Sequence, residues 1–164
     1  MGQTAIMTDT NSGITLEEGK TNGIFVLPMP VMIDGKDFME ELTLDHPMLY
    51  KALNENKDIV SSQPSPGDLT KMWDDILSQG YDELVYIPMT SGLSGSCNTA
   101  KALAADYDGK VVVIDNHRIS ITLLDAVYDA KIEEIKSVGA SDIIEAYREA
   151  YKAGTFRGTF PGNK

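Results

Sequence analysis

Short apolar runs of β-like character alternate along the chain with longer stretches in which apolar residues recur at helical spacing. Thr4 to Thr8 reads as a first strand, followed by a polar turn from Asp9 to Gly13. Thr15 with Glu18 three residues later has the spacing of a capping box and predicts a short helix from Thr15 to Asn22. Ile24 to Met29 is apolar on both faces, as a buried parallel strand is. Val31 to Ile33 predicts an edge strand before the Asp34-Gly35 turn, Lys36 to Thr43 an irregular excursion, and Leu44 to Asn54 a helix. The next helix is the best marked: Ser65 caps it, Pro66 occupies its first position, and Asp68 sits in its first turn. Leu69, Met72, Trp73, Ile76 and Leu77 form its apolar stripe, and Gly80 ends it.

Glu83 to Pro88 then reads as a strand, Thr90 to Gly95 as a loop, Ser96 to Tyr107 as a helix and Lys110 to Ile114 as a β-branched strand. Helices from Ser120 to Val138 and from Asp142 to Ala153 complete the pattern. Alternation of this kind predicts an α/β fold: a three-layer domain with a mainly parallel sheet flanked by helices. The domain is expected over residues 1–154, and the Gly- and Pro-bearing tail 155–164 is expected to fray.

Composition narrows the function. Of 164 residues, 42% are hydrophobic and 24% charged, which excludes wholesale disorder, collagen-like repeats and coiled coil. The longest apolar run, Ile24 to Ile33, contains Pro28 and Pro30 and falls well short of the roughly 20 residues that a bilayer span needs. The start lacks the basic and apolar regions of a secretory signal, and Ile6 stands where a myristoylation signal has Ser or Thr. A soluble, cytoplasmic protein is expected. The net charge of -11 argues against nucleic-acid or membrane-surface binding, though a local pocket of donors can still hold one small anion. One cysteine, Cys97, excludes an internal disulfide, and neither His46 nor His117 has a second histidine at metal-ligand spacing. Asp9 and Asp115, each at a strand end, resemble a carboxylate pair for magnesium; ordering their own turns is the plainer reading. Cys97, early in a helix, could carry a thiol of lowered pKa; a buried helix cysteine is the expected case.

Ligands of open parallel sheets gather at the carboxyl ends of the strands. Three hydroxyl-rich segments fall at such ends: Thr8 to Ser12, Ser61 to Ser65, and Thr90 to Ser96. In the third, Gly92 and Gly95 permit close backbone approach and Ser94 sits where a helix begins, a place whose amides and dipole suit an anionic oxygen. The alternative is that Ser94 merely caps its helix. Ser61 and Ser62 end a strand, and the Gln63-Pro64 step stiffens the loop beyond them.

The segments TDTNSG, IFVLPMPVMIDGKDF, SSQPSPGD, MTSGLSGSCNTA and VVVIDNHRIS, in this order, resemble the DegV family from Thr4 to about Ser120. The resemblance implies a non-enzymatic protein that binds a long-chain fatty acid, such as palmitate or oleate, and presents it to a separate fatty acid kinase. By motif it implies that Ser61 and Ser94 contact the carboxylate and that Ser62 adjoins the first contact. No metal and no cofactor is implied. The acyl chain would use Ile24 to Ile33 and Met89 to Leu93, where ordinary core is the competing reading. The resemblance also implies a second domain, expected to be absent from this chain, and the apolar wall so exposed would promote self-association as a homo-oligomer.

Two other readings remain open. A serine hydrolase would use Ser94 as nucleophile, but Gly92 to Ser96 has serine where a G-x-S-x-G elbow ends in glycine, and His117 is its one candidate base. A phosphate- or nucleotide-binding module fits a Gly-Ser loop after a strand, yet neither phosphate-loop fingerprint occurs.

Overall fold

A computed structural model of the chain describes residues 3–136 together with Glu145. Four strands, β1 (Thr4–Asp9), β2 (Ile24–Leu27), β6 (Glu83–Ile87) and β7 (Val111–Val113), form a parallel sheet in the order β2-β1-β6-β7. Side chains alternate across it with a period of two. Ile6, Val85 and Ile87 join Ile24 and Val26 in a core covered by helices α1 (Leu16–Asn22) and α5 (Ile121–Lys136). Ala5, Met7, Leu84 and Tyr86 face the other way, against Leu69, Trp73 and Ile76 of α3 (Pro66–Ser78) and Ala100 of α4 (Ser96–Ala104). Helix, sheet and helix make the three layers that the alternation predicts.

The caps are those read from the chain. Thr15 and Glu18 form a reciprocal capping box, and the Ser65 side chain accepts the Asp68 N–H at 3.1 Å. Helix α2 (His46–Asn54) starts two residues later than expected, because the Asp45 side chain accepts the Met48 N–H and Pro47 sits in the first turn. Helix α4 stops at Ala104 and tightens into a 3-10 turn, Ala105–Tyr107, before Asp108 and Gly109 reverse the chain at positive φ.

A second, antiparallel sheet departs from the expectation. Residues Lys36 to Met39 are strand β4, paired with β3 (Pro30–Ile33), which pairs in turn with β5 (Ile59–Ser61). Asp34 and Gly35 take φ of 50° and 75°, so they form a two-residue hairpin turn of the kind whose twist matches antiparallel strands. That turn makes Lys36 the start of a strand rather than of an irregular excursion. Helix α2 covers this sheet over Val31, Ile33, Leu44 and Ala52. The helix expected over Asp142 to Ala153 and the tail 155–164 otherwise lie outside the described residues.

Gly19, inside α1, marks the tightest packing. A Cβ there would lie 2.6 Å from Val26 Cγ2 and 2.7 Å from the Ile24 carbonyl oxygen. In an exposed helix Gly→Ala stabilises by about 1 kcal/mol. Here the sign reverses: Gly19→Ala is expected to lower stability by about 1–3 kcal/mol through overpacking against β2. Urea unfolding of the two proteins reads this directly; a raised midpoint would contradict the packing described.

Candidate functional site at the carboxyl edge of the parallel sheet

Buried polar residues collect at one place, the carboxyl ends of β1, β6 and β7: Thr8, Asp9, Ser12, Thr90, Ser96, Asp115 and Asn116. Loop amides that leave the sheet need acceptors there, and two carboxylates supply them. Asp9 accepts the Met89 N–H at 2.9 Å on Oδ2 and the Asn11 N–H at 3.0 Å on Oδ1. Asp115 accepts the Ser91 and His117 N–H groups at 3.3 and 3.4 Å on Oδ1, while Lys101 Nζ of α4 lies 3.5 Å from its Oδ2. Burial raises the Asp9 carboxyl above its usual range, against the opposing pull of the Met89 and Asn11 hydrogen bonds. At Asp115 burial also pushes upward, but the Ser91 hydrogen bonds, Lys101 and His117 together hold it below the usual value. These commitments favour the turn-ordering reading of both residues. Among the described residues no group of three or more His, Cys, Asp or Glu could hold a metal ion.

The loop carrying Ser94 is knitted amide by amide. Thr90 N–H donates to the Arg118 carbonyl at 3.1 Å, Gly92 N–H to Thr90 Oγ1 at 3.1 Å, and the Leu93 and Ser94 N–H groups to the Thr90 carbonyl at 3.1 and 3.2 Å. With Met89 and Ser91 held by the aspartates, the loop amides from 89 to 94 are occupied. The sequence suggests free loop amides for an anion; what is left for a ligand is instead the Ser94 hydroxyl and the first turn of α4. The helix N-cap is Gly95, which makes no side-chain cap bond, and Ser94 Oγ accepts the Ser96 N–H at 3.1 Å. A hydroxyl that accepts in this way keeps its proton for donation.

Ser61 ends β5 opposite Val31, and the Ser62 N–H continues the ladder to the Pro30 carbonyl at 3.1 Å. Strand alternation therefore sends Ser61 and Ser62 to opposite sides. Both are exposed, whereas Ser94 is half-buried. The link between the two serine loops is Gln63. Its carboxamide oxygen accepts from the Thr99 hydroxyl of α4 at 3.4 Å and lies 3.3 Å from where a Cβ of Gly95 would stand. The SSQP segment and the start of α4 thus meet, through a residue whose place in the sequence suggests only a stiffener. Pro64 is buried beside it.

Apolar surface flanks Ser94, beside which Leu93 is 66% exposed, whereas Val60, 47% exposed, precedes Ser61 on the opposite face of β5. Ile119, on the turn after β7, and Ile121, at the start of α5, are also exposed. Most of Ile24 to Ile33 is ordinary core, Ile24, Val26, Leu27, Met29, Val31 and Ile33 being buried. A hollow of about 120 Å³ lies elsewhere, lined by Thr10, Glu40, Glu41, Asp45 and His46, and one of about 220 Å³ lies between α2 and β4.

Catalytic geometry is thin. His117 Nδ1 lies 4.0 Å from Asp115 Oδ1, and among the described residues no hydrogen bond joins either histidine to Ser94. No helix among the described residues is long and apolar enough to cross a membrane. The Cys97 thiol is buried and burial raises it to about 11, so packing, not a lowered pKa, describes it.

The family model described as "Uncharacterised protein, DegV family" matches residues 3–153. The chain belongs to the DegV family. A DegV domain-containing protein of Mycoplasma genitalium is 33% identical over 140 residues, which cover 80% of this chain and 46% of that protein. The chain thus spans about half the length of such DegV relatives. The crystal structure of a Bacillus subtilis DegV, described as a fatty acid binding protein, superposes with a TM-score of 0.82 at 24% identity, covering 93% of this chain and 55% of that one. A DegV protein from Thermus thermophilus, described by its fatty acid binding, gives a TM-score of 0.80 at 20% identity, covering 92% and 54%. These likenesses show the DegV fold for the layers described above.

At pH 8 a thiol of pKa about 11 is ionised to roughly one part in a thousand, and the thiolate is the nucleophile. Iodoacetamide is therefore expected to leave Cys97 unmodified in the folded protein and to alkylate it in guanidinium. Rapid labelling of the folded chain, followed by mass spectrometry, would contradict its burial.

Proposed function

We propose that this chain binds a long-chain fatty acid such as palmitate or oleate, with Ser94 and Ser61 donating to the carboxylate and Ser62 adjoining the first contact. The observation that carries the reading is the meeting of the two serine loops at Gln63 and Gly95, with Leu93 exposed beside Ser94. A carboxylate accepts hydrogen bonds and wants donors; two hydroxyls and the first turn of α4 offer them without adding a titrating group. Leu93, followed by Ile119 and Ile121, gives the acyl chain apolar surface on which to lie. The alternation of β5 favours Ser61 over Ser62, because Gln63, two residues on, is the one that reaches α4. The fatty acid binding attributed to the Bacillus subtilis and Thermus thermophilus proteins supports the same ligand class.

In this reading residues 1–154 are the lipid-binding domain, the chain performs no chemistry on the ligand in the cytoplasm, and it hands the carboxylate to a fatty acid kinase. Exposed apolar residues around the site also favour self-association when no lipid covers them. A hydrolase would need a base at Ser94, and a polyphosphate would need cations, whereas Lys101 is already spent on Asp115.

A hydrogen bond to a charged group contributes about 1.5–3 kcal/mol. Ser94→Ala and Ser61→Ala are each expected to weaken oleate binding by about tenfold or more, measured by calorimetry on the folded variants. Unchanged affinity in both variants would overturn the proposed contacts, and ester hydrolysis that vanished in Ser94→Ala would favour the hydrolase instead.

A further inference from the structure

We propose that Asp115 is a positioning residue for Ser94, an inference that rests on the carboxylate-binding role just given. The loop from Thr90 to Gly95 has little apolar anchorage: Gly92, Leu93 and Gly95 are exposed and Ser94 is only half-buried. Its shape therefore depends on where its amides are held. Asp9 fixes only the start of the loop, at Met89. Asp115 takes the Ser91 N–H, next to Thr90, whose carbonyl accepts the Ser94 N–H, and it ties together the end of β7, this loop and α4 through Lys101. Its own side chain is 3% exposed, so it is held as firmly as the core around it.

A buried anion beside a site for another anion is costly unless its charge is spent. Here it is spent on two amides and the Lys101 ammonium, which leaves Asp115 free to orient the loop without repelling the ligand. The ligand then meets a hydroxyl already in place, and the ordering cost that would otherwise subtract from binding is met by the fold.

The test compares oleate with oleyl alcohol, which keeps the chain and lacks the carboxylate. Ser94→Ala is expected to lower the oleate-to-alcohol affinity ratio about tenfold. Asp115→Ala is expected to lower the ratio by a similar factor, and the double variant by no more than either single change, since both act on the same contact. Asp115→Asn, which keeps one acceptor for Ser91, is expected to recover part of the loss. Lys101→Met, at a half-exposed position, is a second handle that needs no change at Asp115: it leaves the carboxylate uncompensated and is expected to weaken oleate but not the alcohol. If Ser94→Ala leaves the ratio unchanged, the carboxylate reading itself fails. If Ser94→Ala acts while Asp115→Ala spares the ratio, or the two losses simply multiply, the positioning role is overturned. Should Asp115→Ala fail to fold, Asp115→Asn and Lys101→Met decide, and an unchanged ratio in both overturns the role.

Discussion

Parallel strands end with their backbone groups pointing into whatever lies beyond the sheet, and a buried amide without an acceptor costs about 1–3 kcal/mol. The carboxyl edge of this protein meets that constraint with Asp9 and Asp115. One carboxylate stands at the end of β1 and the other just beyond β7, and they receive amides from the loop that leaves β6 between them. They anchor the loop at Met89 and Ser91, and Thr90 between those two residues receives the amides of Gly92, Leu93 and Ser94.

The second sheet carries the other serine loop of the proposed site. β5 exists because the Asp34-Gly35 hairpin aligns β3 with β4 and leaves β3's other edge open for Ile59 to Ser61. That pairing ends at Ser61, and the chain then turns at Gln63 and the buried Pro64 into α3. Stiffness before the proline and the contact from Gln63 to Thr99 set the two loops side by side. Two sheets that share no strand thus cooperate at one edge.

Much of this was legible in the residues themselves. β-branched and apolar runs marked β1, β2, β6 and β7, and caps at Thr15 and Ser65 fixed α1 and α3, because those signals are local. β4 and the placing of β5 were harder. Ser61 does end a strand, but one of the antiparallel sheet and not of the parallel one. Lys36 to Met39 carries two charges in four residues, and only its register against β3 makes it a strand. The Asp34-Gly35 pair was the available clue, since both residues tolerate positive φ. The occupied amides of the Ser94 loop and the reach of Gln63 depend on contacts between distant segments, which spacing along the chain does not encode. The reading of Asp9 and Asp115 as turn-ordering groups agrees with their hydrogen bonds, and the reading of Cys97 as a buried helix residue agrees with its burial.

The central claim is spatial: an acyl carboxylate sits between the end of β5 and the start of α4. Amide chemical shifts recorded while oleate is titrated into the isotopically labelled chain test it most directly. The account predicts that the largest changes fall on residues 61–63 and 94–98, with smaller ones at Leu93 and Ile119. Changes centred instead on Ile33, Phe38 and Met48, which line the hollow between α2 and β4, would contradict it.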